Sequence, residues 1–153
     1  MVPQNTKVVL GAAPATVANN QTATLVIDRL GYDYVSVKVL AGTAANTNKA
    51  TAFAVTESDD ATNYSAIVSL TGTTNTAVTA GTNGFLIPAT LGTTTTNRAY
   101  AILNIDCKAR KRYLKVSITP ATNQGLCLVA DLYRAKEAPV GAAAQNACVV
   151  VNA

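Results

Sequence analysis

At 153 residues, with 49% apolar and 13% charged side chains and a net charge of +4, the chain has the size of one domain but about half the usual ~25% share of ionised groups. It has no His, no Trp and only eight acidic residues, which excludes Ser-His-Asp and Cys-His catalysis, His-completed zinc sites and the most common general base near neutral pH. Solubility must then rest on Thr, Asn and Ser, and so neutral an exterior favours coverage by partner subunits.

The chain opens on Met1-Val-Pro-Gln-Asn-Thr-Lys7, which lacks the basic start and apolar stretch of a signal peptide. No run of about 18 apolar residues occurs anywhere, so the chain is expected to be neither exported nor membrane-spanning. Residues 1–21 read as an N-terminal segment with the character of an arm. Beyond them, apolar and polar residues alternate with period two in Thr22–Asp28, Tyr34–Val39, Thr51–Glu57 and Tyr64–Leu70, and again in Ala99–Asp106, Tyr113–Thr119 and Gly125–Arg134. Alternation of this kind marks half-buried strands. Gly31, Gly42, Ser58-Asp-Asp60, Gly92 and Pro120 punctuate them, and short strands at this spacing predict an all-β antiparallel sandwich, jelly-roll-like, with its core over residues 22–137.

Residues 71–97 form a Thr-rich loop too long for an ordinary connection, with Phe85, Leu86 and Ile87 as an apolar anchor near its centre. Residues 138–153 form a C-terminal tail. Its Ala138–Ala147 stretch is the best helix candidate but has no clear apolar face, and its Val149, Val150 and Val151 suit a strand added to a sheet edge, with a neighbouring subunit favoured over the chain's own.

Cys107, Cys127 and Cys148 stand far apart, without a CxxC pair, and Cys127 and Cys148, inside apolar runs, read as small buried hydrophobes of a protein made in a reducing cytoplasm. Glu57, Asp59, Asp60 and Asn63 read as a turn between strands, because the run lacks the glycine and closing Glu of a calcium loop. No phosphate-cradling glycine motif is present. No cofactor or metal is expected, and no enzymatic activity.

The strongest polar signal is the run Lys108, Arg110, Lys111, Arg112 and Lys115, five of the twelve basic residues within eight positions. One reading is a solvated loop with a basic strand edge that discourages aggregation. The other is a surface for an anionic protein partner, since alternation turns Tyr113, Lys115 and Ser117 away from Leu114, Val116 and Ile118. On the second reading, replacing Arg110, Lys111 and Arg112 with Ala would leave folding mostly intact and weaken assembly. The rest of the chain has seven basic and eight acidic residues, which argues against a nucleic-acid footprint.

Four stretches in order, spanning roughly residues 22–139, carry a family resemblance: Asp28-Arg-Leu-Gly-Tyr-Asp-Tyr34, Val55-Thr-Glu-Ser-Asp-Asp60 with Tyr64-Ser-Ala-Ile67, Ile105-Asp106 with Arg110-Lys-Arg-Tyr-Leu-Lys115, and Tyr133-Arg-Ala-Lys-Glu-Ala-Pro139. Together they resemble small structural proteins of tailed phage virions, including head decoration, or cement, proteins. The resemblance implies a sandwich subunit, commonly a homotrimer, made in the host bacterial cytoplasm, that binds the major capsid protein on the outer capsid surface and staples capsomers. Neither membrane nor nucleic acid is an expected partner. The longer Thr-rich middle and Lys7-Val-Val-Leu-Gly11 depart from that pattern. The alternative is a tail or fibre adhesion module that binds host glycans through the 71–97 loop.

Overall fold

A computed structural model describes residues 6–42, 50–67 and 98–135. The seven alternating segments, together with residues 7–17, give eight strands among the described residues: β1 (Lys7–Val17), β2 (Ala23–Asp28), β3 (Tyr32–Ala41), β4 (Ala50–Ser58), β5 (Ser65–Ala66), β6 (Arg98–Asp106), β7 (Tyr113–Pro120) and β8 (Gln124–Ala135). They form two four-stranded antiparallel sheets, the first in the order β1-β8-β3-β6 and the second in the order β2-β7-β4-β5. Among the described residues there is no helix.

Alternation dictates the packing. Val35, Val37 and Val39 of β3 and Leu126, Leu128, Ala130 and Leu132 of β8 turn inward from the first sheet. Leu25 and Ile27 of β2, Phe53 and Val55 of β4, and Leu114, Val116 and Ile118 of β7 meet them from the second. Burying each such side chain contributes about 1.5–3 kcal/mol, so this shared layer holds the sheets face to face as a β-sandwich.

The pairing is nested. β1 pairs with β8, β2 with β7, β3 with β6 and β4 with β5, so the chain doubles back on itself along its whole length. Each step from β1 to β4 changes sheet, and so does each step from β5 to β8.

Several expectations change. Residues 7–17, grouped above with an arm, form edge strand β1, whose register with β8 is interrupted between Leu10 and Ala12 and between Ala12 and Ala15. Gly11 sits in the first interruption because β1 there closes over β2: a Cβ at residue 11 would lie 2.5 Å from the Leu25 backbone. The strand expected over Tyr64–Leu70 is described only as Ser65–Ala66. Strand β7 lies inside its sheet between β2 and β4, so the basic residues at its start do not guard an edge. Cys127, expected to be buried, is only partly so, because it stands on the outer side of β8, while Cys107 is buried. Phe85, Leu86, Ile87, Cys148, Val149, Val150 and Val151 lie outside the described residues, as do the 71–97 loop and the 138–153 tail.

Candidate functional site

Strand β6 belongs to the first sheet and β7 to the second, so residues 107–112 must cross between the layers and close one end of the sandwich. That crossing is the basic run. The β2–β3 turn and the end of β4 reach the same place, and they bring acids with them.

Arg29 is the central clamp. Its Nε donates to the Lys111 carbonyl at 2.8 Å, its Nη2 donates to the Arg110 carbonyl, and its backbone N–H donates to the Arg112 carbonyl at 3.1 Å. Gly31, at φ +86°, gives the turn the left-handed residue that lets β3 start directly behind Arg29. From the other side Glu57 points inward on β4. Its Oε2 accepts the Lys111 backbone N–H at 3.0 Å, and its Oε1 lies 3.6 Å from Arg110 Nη1. The Glu57 and Arg110 side chains are only 13% and 21% exposed, so this pair is weakly screened and its loss would strand a half-buried charge.

Each of the five clustered cations therefore has a partner within the chain. Lys108 donates to the Tyr34 hydroxyl at 3.2 Å, and that bond raises its pKa. Lys111 Nζ lies 3.4 Å from Asp59. Arg112 grips Asp28 through Nε at 3.1 Å and Nη2 at 2.7 Å, a two-pronged contact that holds the Asp28 carboxyl below its ordinary range. Lys115 Nζ stands 3.8 Å above the Tyr64 ring. Asp60 caps its own turn, accepting from the Thr62 and Asn63 backbone N–H groups and from the Ser58 hydroxyl, and these bonds depress its pKa strongly. The Asn63 bond is the largest cause.

Six of the eight acidic residues, Asp28, Asp33, Glu57, Asp59, Asp60 and Asp106, gather at this end. A run that is strongly basic in sequence is thus close to neutral in space. The four stretches that carried the family resemblance converge on this end too, through Asp28 and Arg29, Glu57 to Asp60, Arg110 to Lys115, and Tyr133 with Arg134.

Just beyond it, on the outer side of the first sheet, Tyr34 stands directly across from Tyr133 and Asp106. The Tyr34 ring lies between Lys108 Nζ at 5.4 Å and the Arg134 guanidinium at 5.5 Å. Arg134 adopts a left-handed backbone, φ +55°, which redirects its side chain out of the strict alternation of β8. The contacts of this region brace one end of the sandwich. Cys107, beneath it, has its thiol pushed up to about 11, chiefly by burial, so it is a poor nucleophile. Among the described residues no group of three or more Cys, Asp or Glu is placed to hold a metal ion.

Sequence reading singled out the cations and missed their partners Arg29 and Glu57. The available signal was the pair Asp28-Arg29 at a strand end followed by Gly31, a charged turn placed where a strand must reverse. Comparison with known proteins finds no family model that matches this chain and no match among curated proteins.

Proposed function

We propose that this chain is a non-enzymatic virion protein, a decoration subunit that binds the outside of a phage head and stabilises contacts between capsomers. The observation that carries this reading is the nested pairing of β1 with β8, β2 with β7, β3 with β6 and β4 with β5 across two sheets. Such nesting favours the winding of a jelly roll, an architecture used by viral capsid proteins, lectin domains and cupins. A cupin would use His ligands, and the chain has none. The family resemblance of the four convergent stretches supports the capsid branch, and the charge-poor exterior suits a subunit that spends its life covered.

The internal pairing at Lys108–Lys115 changes how such a subunit would attach. Its cations have partners within the chain, but Lys111 and Arg112 still face solvent, so attachment would draw on the exposed side of this patch as well as on other solvent-facing surfaces. In a binding assay, purified protein added to heads lacking it should co-sediment with them and raise their resistance to heat or to chelation of stabilising cations. Heads that neither retain the protein nor gain resistance would end this reading.

A tail or fibre module that binds host glycans is favoured by one feature, the Tyr34 and Tyr133 pair beside Asp106, which resembles the aromatic, acid-flanked platforms on which sugars stack. Glycan-array binding lost on Tyr34→Ala would move the assignment there.

A further inference from the structure

Six large apolar side chains are exposed among the described residues, and four of them, Val8, Leu10, Leu40 and Ile102, lie on the outer face of the first sheet. Leu10 is 52% exposed and Ile102 57%, so among the described residues little lies over them. The outer face of the second sheet presents one such side chain, Val26, among Thr24, Ser117, Thr119 and Lys115.

Register lays the first face out in four rows. Cys127 stands beside Leu40. Next, Leu10, Val129, Lys38 and Ile102 follow one another across the strands. Then come Val8, Asp131, Ser36 and Asn104, and last Tyr133, Tyr34 and Asp106. One end is therefore aliphatic and the other aromatic, and the two charges in the middle rows, Lys38 and Asp131, have opposite sign and pair within the chain.

We propose that this face packs against the same face of a second copy of the chain, as a two-fold pair. An axis running across the strands between the two middle rows sets Leu40 opposite Tyr34, Cys127 opposite Tyr133 and Leu10 opposite Val8. It also brings Lys38 of each copy beside Asp131 of the other, one strand spacing or about 4.8 Å away in projection. Unlike charges meet, and aliphatic meets aromatic, so the face is complementary to itself, as an isologous contact requires. Addition of a strand at β1 is a poor alternative, because two register interruptions and Pro14 spoil that edge as a template. Four strands by four rows cover only about 14 Å by 20 Å between outer strands and rows, so the pair sits at the small end of specific interfaces and should have a Kd on the order of micromolar. On a lattice that holds many copies, proximity would make so weak a contact effective.

The inference goes beyond capsid binding and is tested apart from it. Sedimentation velocity from about 1 to 300 μM should show wild type passing from monomer to dimer, with Ile102→Asp and Leu10→Asp monomeric throughout and melting like wild type. Charge reversal gives the sharper readout. Lys38→Asp and Asp131→Lys should each weaken self-association at least tenfold, whereas an equimolar mixture of the two should dimerise again, because each copy then meets its complement. In a Cys148→Ser background, Cys127 should react with a maleimide as monomer and be protected as dimer.

A monomer at all concentrations, the trimer that the family resemblance implies, a dimer indifferent to Leu10→Asp and Ile102→Asp, or single reversals that the mixture fails to rescue would each overturn the inference. So would a Cys127 already protected in the monomer. Failure to bind heads would overturn the proposed function and leave this pair untouched.

Discussion

The crossing end of the sandwich and the outer face of the first sheet are opposite answers to the same question of where a charge-poor protein puts its contacts. At the crossing end, the densest charge in the chain is consumed internally: Arg29, Glu57, Asp28 and Asp59 engage the 107–112 segment before any partner arrives. On the outer face a few exposed apolar side chains surround one ion pair and remain turned to solvent. Charge density along a sequence is therefore a poor guide to the charge a surface can offer. Arg110, Lys111 and Arg112 have partners within the chain, so their joint removal should cost stability as well as any assembly they serve.

The comparison breaks most sharply at Glu57. Glu57→Ala removes the acceptor for the Lys111 N–H and leaves Arg110 half-buried without its carboxylate, and should cost about 3 kcal/mol in denaturant unfolding. Arg29→Ala, which strips two carbonyls of their donor, should cost about 2 kcal/mol. Both should leave self-association through the first sheet intact once the protein is folded. If either variant unfolds at the wild-type midpoint, the crossing is not a brace.

Gly11→Ala probes a neutral site between the two regions. The new methyl must displace the Leu25 backbone, so about 1–3 kcal/mol should be lost with no change in salt dependence.

Acid offers a gentler test. Asp28 has a folded pKa held below its usual 3.8, mainly by Arg112, so its contribution is fully present above that value and is lost as pH falls through the lower, folded pKa. Asp60 acts in the same direction. Stability on this account is flat from neutrality down to about pH 5 and declines below about pH 4, and Asp28→Asn should flatten part of that decline. Because the Asp28–Arg112 pair is exposed, the same substitution at pH 7 should cost only about 0.2–1 kcal/mol, less in high salt. The smallest effect belongs to the outer face, where Ile102→Asp should change stability by no more than about 0.5 kcal/mol while abolishing dimerisation.

Much of the fold was legible because a two-residue period survives wherever one side of a strand is buried. Tyr113–Pro120 alternates between partly exposed and buried at every position, and its sequence alternates in step. β1 was not legible for the same reason. It is an edge strand, with two register interruptions, and most of its side chains face solvent, so Ala12, Ala13 and Ala15 record no face. At the crossing, the cations were legible because they are contiguous. Their partners were not, since Asp28 stands 84 residues from Arg112 and Glu57 stands 54 from Lys111, and nothing local in either segment announces the other. Only the topology, which sends β2–β3, β4–β5 and β6–β7 connections to one end, brings them together.

The nested pairing has a consequence in time. Lys7 is paired in register with Leu132, so β1 has no neighbour in its sheet until β8 follows. At a synthesis rate of roughly 5–20 residues per second, β1 waits about 6–25 s for β8, and the central strand β8 reaches β3 equally late. Such a chain cannot close its sandwich before β8 has emerged, and its dominance by long-range contacts makes that step slow. Until β8 has emerged the first sheet has no strand between β1 and β3, so the exposed apolar side chains of its outer face come together only once the whole β1–β8 span has left the ribosome.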